Sequence, residues 1–407
     1  LVALLAVVGL LGAACGKDKG SDSAGKTTTT AASSVLGPKK AATGQALTLG
    51  FVTDGKSETV DNTSEVPAAQ AAAKYVNEHL GGIAGHPIEL KVCDDHQSPA
   101  GATQCVNELV AAKVPAVLLN VSGQSATIVK GLDAAKIPTF WWIALDLTVG
   151  TTQSASIVTN GLAAAFAGPA KQAAAKGAKK AAEVVIDIPS ISGPAKLLAP
   201  NLYKKAGIDL DILAVPADAA DMTPQIQAAL AKAPDTVHIT GNDVFCVRAL
   251  KALKTLGYTK QITMVPQCLT QALVDGVPGG LEGTQVLTVE SRDPKDKEYQ
   301  LYHGVMDTYA KGTDSNGSVT SGGYAAVLGF ARATKGLTGE VTGDTLLAAI
   351  RAMETATMPL AAAVTFKCDG TAVAIAKPIC STATLVATLD AKGKPVKYET
   401  IDANGLF

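Results

Sequence analysis

The chain has 407 residues, of which 47% are hydrophobic and 17% charged, and its formal net charge is −1. That balance excludes the basic footprint of a nucleic-acid binder and a polybasic membrane patch. The apolar fraction can build a large core, and the length favours two domains over one.

Residues 1–14 are apolar or Gly throughout, shorter than the roughly 18–20 residues of a membrane-crossing helix, and they read as the apolar core of a signal peptide. Gly12, Ala13 and Ala14 precede Cys15. This arrangement resembles the lipobox of bacterial lipoproteins, which implies a signal peptide over residues 1–15 and lipid attachment at Cys15. The membrane would then be reached through that anchor alone. Residues 16–45, rich in Thr, Ser, Gly and Lys, read as a flexible tether. Within them GSDSAGKT (20–27) fits the phosphate-cradling pattern G-x-x-x-x-G-K-[ST]. The pattern works only between a buried strand and a helix, and neither flanks it, so it is read as a chance match.

From Ala46 the texture changes. ALTLGFV predicts a strand, PAAQAAAKYVNEHL a helix and HPIELKV a second strand, together a βαβ unit. The alternation continues through a helix over 100–112, strand 115–121, helix 126–135 and strand 138–144. A second run follows Gly161, with helices over 163–176, 193–205, 223–232 and 245–256 and strands over 181–187, 210–216, 236–241 and 262–266. Helices over 296–311, 321–335 and 343–352, a hairpin at VTFKCDGTAVAIA and a strand over 383–389 complete the reading. Apolar strands spaced by Ala-rich helices imply parallel sheets covered on both faces.

Enzyme signatures are missing from the sequence. No G-x-S-x-G elbow or H-E-x-x-H occurs, and no G-x-G-x-x-G follows a strand. His96 beside Asp94 and Asp95 is read as part of the cap of the next helix, not as a metal cluster. Without Cys15, six cysteines remain in three close couples, and the expected bridges are Cys93 with Cys105, Cys246 with Cys268 and Cys368 with Cys380. The zinc spacings C-x₂-C and H-x₃₋₅-H do not occur, so no metal and no cofactor is expected. The Asn62 and Asn120 glycosylation patterns are read as incidental.

The stretch VNEHLGGIAGHPIELKVCDDHQSPAGATQCVNELV (76–110) is the most specific in the chain. Asn77, Gly81, Gly82, Ile83, Gly85, Asp94, Asp95 and Pro99 follow in order the pattern of the branched-chain amino-acid-binding family of ABC-transporter solute receptors, which the chain resembles over residues 46 to about 390. The resemblance implies the type I periplasmic-binding fold: α/β, two doubly wound parallel-sheet lobes joined by three hinge crossings, here near 159–161, 288–291 and 376–380. Lobe 1 would hold residues 46–160 plus 289–377, and lobe 2 residues 161–288 plus 378–407.

The same resemblance nominates the ligand site. Ser122, Gly123, Gln124 and Ser125 would seat a ligand carboxylate at a helix N-terminus. The next strand end supplies Trp142, Ile143 and Leu145, where Leu145 stands in place of the family's hydroxyl. In lobe 2, Ser192 and Asn242 occupy aromatic positions, and Gln267 occupies that of the acid that meets an amino-acid ammonium. An amide cannot supply that charge, so Asp243 or Asp146 is the expected substitute.

The resemblance therefore implies a non-catalytic, monomeric receptor on the outer face of the bacterial cytoplasmic membrane. It would bind a small amphipathic or carboxylate-bearing solute, an amino acid or a relative of one, between its lobes and deliver it to an ABC permease. The alternative is a sensor of the same fold that signals to a receptor or regulator.

Overall fold

The computed structural model describes residues 35–57, 61–144, 146–159 and 161–407. Cys15, the leader and most of the tether lie outside the described residues, as does Leu145. Strand and helix alternate from β1 (Leu47–Thr53) through α1 (Glu65–Tyr75), β2 (Ile88–Asp94), α2 (Pro99–Ala111), β3 (Val117–Leu119), α3 (Ser125–Ala134), β4 (Thr139–Ile143), α4 (Leu147–Thr151) and β5 (Ala155–Thr159). These strands form one parallel sheet in the order β2-β1-β3-β4-β5. Successive side chains point to opposite faces, so along β4 Phe140 and Trp142 enter one core and Trp141 the other. A strand buried on both faces has no polar side to show, which is why TFWWI reads as an unbroken apolar run.

The second sheet is built from α5 (Gly161–Ala175), β6 (Lys180–Ile186), α6 (Pro189–Lys205), β7 (Asp209–Val215), α7 (Thr223–Leu230), β8 (Thr236–Thr240), α8 (Asp243–Thr255), β9 (Gln261–Met264), α9 (Gln271–Gly276) and β10 (Gln285–Thr288). The chain then returns to the first sheet with α10 (Lys297–Tyr309), α11 (Ser318–Ala333), α12 (Gly343–Arg351) and the hairpin of β11 (Ala356–Met358) and β12 (Ala361–Phe366). Helix α11 packs on α1, and its Phe330 meets Phe140 of β4 edge to face, 5.4 Å between ring centroids. Strands β13 (Ala383–Leu389) and β14 (Pro395–Asp402) close the second sheet, in the order β14-β13-β10-β9-β8-β6-β7. The chain thus passes between the sheets after β5, after β10 and between β12 and β13. The last passage runs beside β5, where Ile157 donates its N–H to the Pro378 carbonyl and accepts from the Cys380 N–H, each at 2.8 Å.

The structure differs from the sequence reading in four places. Residues 36–45, expected in the tether, lie against the first lobe: Leu36 joins its core, and the Lys40 and Ala42 N–H groups donate to the Glu78 and Asn77 carbonyls. The expected hairpin partner of β12 is wrong, because β12 pairs with the preceding β11 and residues after Cys368 form turns. Ser98, not the Asp94 to His96 run, caps α2, accepting from the Gly101 N–H at 3.0 Å. The short strands β5 and β10, the brief helices α4 and α9 and the half-exposed edge strand β14 carry no long periodic run and escaped the sequence reading.

All three expected disulfides are present. Cys93–Cys105 ties β2 to α2, Cys246–Cys268 ties α8 to the turn Pro266–Cys268, and Cys368–Cys380 ties the loop after β12 to the third passage. No helix among the described residues is long and apolar enough to cross a membrane.

Candidate functional site

An open α/β sheet offers its ligand crevice outside the C-terminal strand ends, at the point where the strand order reverses. Each sheet here has one such point. In the first it lies between β1 and β3, and in the second between β6 and β8.

The first switch point is built from loops that sequence reading valued little. β1 runs into Asp54 and Gly55, β2 into Asp95, and β3 into Asn120, Ser122 and Gly123. Gly55 sits at φ +58°, and a Cβ there would lie 1.8 Å from the Asp94 carboxylate, so the β1 turn needs glycine. Ser122 Oγ donates to Asp95 at 2.9 Å and accepts from the Gln124 N–H at 2.9 Å. The Gly123 N–H donates to both Asp54 oxygens at 3.2 Å. Ser125 Oγ donates to the Ser122 carbonyl at 2.5 Å, and the Gln124 amide to the Gln97 carbonyl at 3.1 Å. Behind them Glu65, at the start of α1, is fully buried. It accepts from Thr53 Oγ1 and, at 3.0 Å, from the Asn120 amide.

The electrostatics follow from this crowding. Burial pushes Glu65 up to about 8, against the Thr53 and Asn120 hydrogen bonds, with the Asp54 and Asp95 charges adding to the rise. Burial also lifts Asp95 to about 6, with the Asp54 charge next, while Ser122 and the Gln97 N–H oppose it. Of the donors expected to seat a ligand carboxylate, Ser122 and Gly123 are therefore already engaged by the protein's own acids, and the Gln124 and Ser125 side chains by backbone carbonyls. A carboxylate arriving at Gly123 would have to displace Asp54, and it would meet Asp95 as well.

Other nominated residues fall in different settings. Trp142 is 2% exposed and packs with Phe140 inside the first lobe, so it is core and not an open wall. Trp141 is also buried, its indole N–H donating to Thr139 Oγ1 at 2.8 Å. Ile143 is half-buried at the end of β4, its N–H on the Asn120 carbonyl at 2.9 Å. Asp146 caps α4 through the Thr148 N–H at 2.7 Å.

In the second lobe Ser192 is buried, and its hydroxyl returns to the Ile188 carbonyl within the first turn of α6 at 3.1 Å. Asn242, at the end of β8, is exposed and caps α8, accepting from the Phe245 N–H at 3.0 Å. Asp243 follows it, half-buried, at the start of the helix. Gln267 is exposed on the turn Pro266–Cys268. The Cys246–Cys268 bridge fastens that turn to α8, so Asn242, Asp243 and Gln267 are carried by two loops held to one helix. Asp54, Glu65 and Asn120 are the residues that sequence reasoning missed. The Asp-Gly directly after the β1 apolar run was the available signal for the first of them. No cluster among the described residues could hold a metal ion.

Comparison with known proteins agrees with this architecture. The family model described as periplasmic binding protein matches residues 47–394. Among solved structures the chain is similar to an ABC transporter substrate-binding protein from Sphaerobacter thermophilus (17% identity, 89% of this chain and 100% of that one, TM-score 0.70). It is also similar to a leucine-, isoleucine-, valine-, threonine- and alanine-binding protein from Brucella ovis in a closed conformation (13%, 89% and 96%, TM-score 0.71). A third is a solute binding protein of an ABC transporter from Rhodopseudomonas palustris HaA2 in complex with p-hydroxybenzoic acid (17%, 89% and 99%, TM-score 0.65). A comparison with curated proteins returned no significant match.

Proposed function

The chain belongs to the periplasmic binding protein family, a family of receptors and not of enzymes, and from that premise we propose that it is the extracytoplasmic solute receptor of an ABC importer. The observation that carries the reading is the architecture itself: two α/β sheets, each with a switch point, joined by three passages of the chain. Such a device needs no chemistry. A solute that binds the closed arrangement better than the open one shifts the population towards closure, and a permease can read that shift.

The proposed lobes are residues 46–160 plus 289–377 and residues 161–288 plus 378–407. The proposed solute is small and amphipathic, held between the β1/β3 edge of one lobe and Asn242, Asp243 and Gln267 of the other. Towards the first lobe a hydrogen-bond-donating group suits the site better than a carboxylate does, because Asp54 already takes the Gly123 N–H. Of the similar solved structures, one is named for binding leucine, isoleucine, valine, threonine and alanine and another is a complex with p-hydroxybenzoic acid, so the fold supports the receptor and a solute panel has to span both classes. We place the receptor outside the cytoplasmic membrane, anchored through Cys15 and working as a monomer.

A thermal-shift panel of amino acids, amides, polyols and organic acids tests this reading. A solute bound only by the native state at 100 times its Kd adds about 2.7 kcal/mol of stability. We expect one chemical class to raise the unfolding midpoint, and Gln267→Ala, at an exposed position, to weaken that solute at least tenfold. A panel with no shift, or a shift untouched by Gln267→Ala, contradicts the proposed site.

A further inference from the structure

A second feature of lobe 2 is independent of the cleft. The buried face of α8 carries Phe245, Cys246, Ala249, Leu250 and Leu253. The stripe away from it, spaced at three and four residues, reads Val244, Val247, Arg248 and Lys251. On a solvated helix this stripe would be polar, yet Val244 is 50% exposed and Val247 half-buried.

These side chains line one wall of an open groove of about 450 Å³, whose other sides are lined by residues that include Met222 at the entrance to α7 and Ala272 of α9. That volume lies in the range of small-molecule sites. No residue of the first sheet lines it. The walls are held in place: a Cβ on Gly276 of α9 would lie 3.0 Å from Val247, and the Cys246–Cys268 bridge anchors the turn that leads into α9.

The charge in this groove is unbalanced. Arg248 is half-buried, and its Nη1 is oriented by the Ala219 carbonyl at 3.0 Å and the Ala217 carbonyl at 3.4 Å. Among the described residues no carboxylate forms an ion pair with Arg248 or with Lys251, one turn along. The single acid in the lining, Asp221, is turned to the Thr223 N–H at 2.9 Å. An oriented guanidinium beside an exposed ammonium, with Val and Met walls and a single acid that is held to Thr223, leaves an excess of positive charge that is complementary to a carboxylate on a short apolar body.

We infer that this groove between α7, α8 and α9 is a second binding site, outside the interlobe cleft, for small amphipathic monocarboxylates. The test uses the full chain with hexanoate and benzoate as probes, and hexanol and hexylamine as controls, read by NMR of the valine methyls and by calorimetry. Hexanoate or benzoate is expected to shift Val244 and Val247 saturably, and the two controls are not. Lys251→Glu, at an exposed position, is expected to weaken the acids at least tenfold with an unchanged unfolding midpoint. Arg248→Gln is expected to weaken them further, while Gln267→Ala in the cleft leaves them unchanged. The inference is overturned if neither acid shifts these methyls, if hexanol binds as well as hexanoate, if Lys251→Glu has no effect, or if Gln267→Ala abolishes the binding.

Discussion

Glu65 shows how a single residue can carry a signature of the whole site. Its carboxyl is raised from an ordinary 4.5 to about 8, chiefly by burial, so between those values the folded chain holds a proton that the unfolded chain has released. Stability from this group is complete below about pH 4.5 and is lost as pH rises through about 8, at a slope of up to about 1.4 kcal/mol per pH unit. Asp95 acts in the same sense between 3.8 and about 6. Urea unfolding at pH 5, 6, 7 and 8 should therefore show declining stability, and Glu65→Gln should flatten the decline above pH 6; an unchanged slope in the variant would count against this assignment. Neither Glu65 nor Asp54 was legible in the sequence as part of the site. Glu65 opens a helix, where an acid is ordinary. Only the fold brings it to Thr53 and Asn120. Ser122 and Gly123 were legible as a strand-end loop, but their partners were not, since Asp54 and Asp95 arrive from two other strands.

Most of the helices and strands were readable because apolar runs and Ala-rich stretches alternate with turn residues at regular spacing. The failures share a cause: β5, β14 and the β11–β12 pairing are short or lie at an edge, and their register depends on neighbours far away in sequence. The cysteine couples were readable because each bridge closes a short loop. Cys246–Cys268, 22 residues apart, bears most directly on the proposed site, since it holds the turn bearing Gln267 against the helix that Asn242 caps. Replacing both cysteines by Ser should cost about 2–4 kcal/mol of stability. Solute affinity should also fall, while the Cys93 and Cys105 pair replaced in the same way should spare it. Equal affinity in the two double variants would separate the bridge from the site. Trp142 marks the opposite error: a bulky aromatic at a strand end was assigned to the cleft, and the alternation along β4 turns it into the core.

At the scale of the whole molecule, what matters is that three stretches of chain join the two sheets. A single linker would leave two independent domains, whereas three passages, one of them hydrogen-bonded along β5, fit the proposed bending about a shared axis. In the proposed clamp, closure would bury the solute between the two switch points, one from each sheet. Small-angle X-ray scattering of the full chain, with and without a saturating solute from the thermal-shift panel, tests this most directly. The account predicts a smaller radius of gyration in the bound state, with the interlobe separation shortened and each lobe unchanged. A solute that binds tightly while the scattering curve stays the same would contradict the clamp.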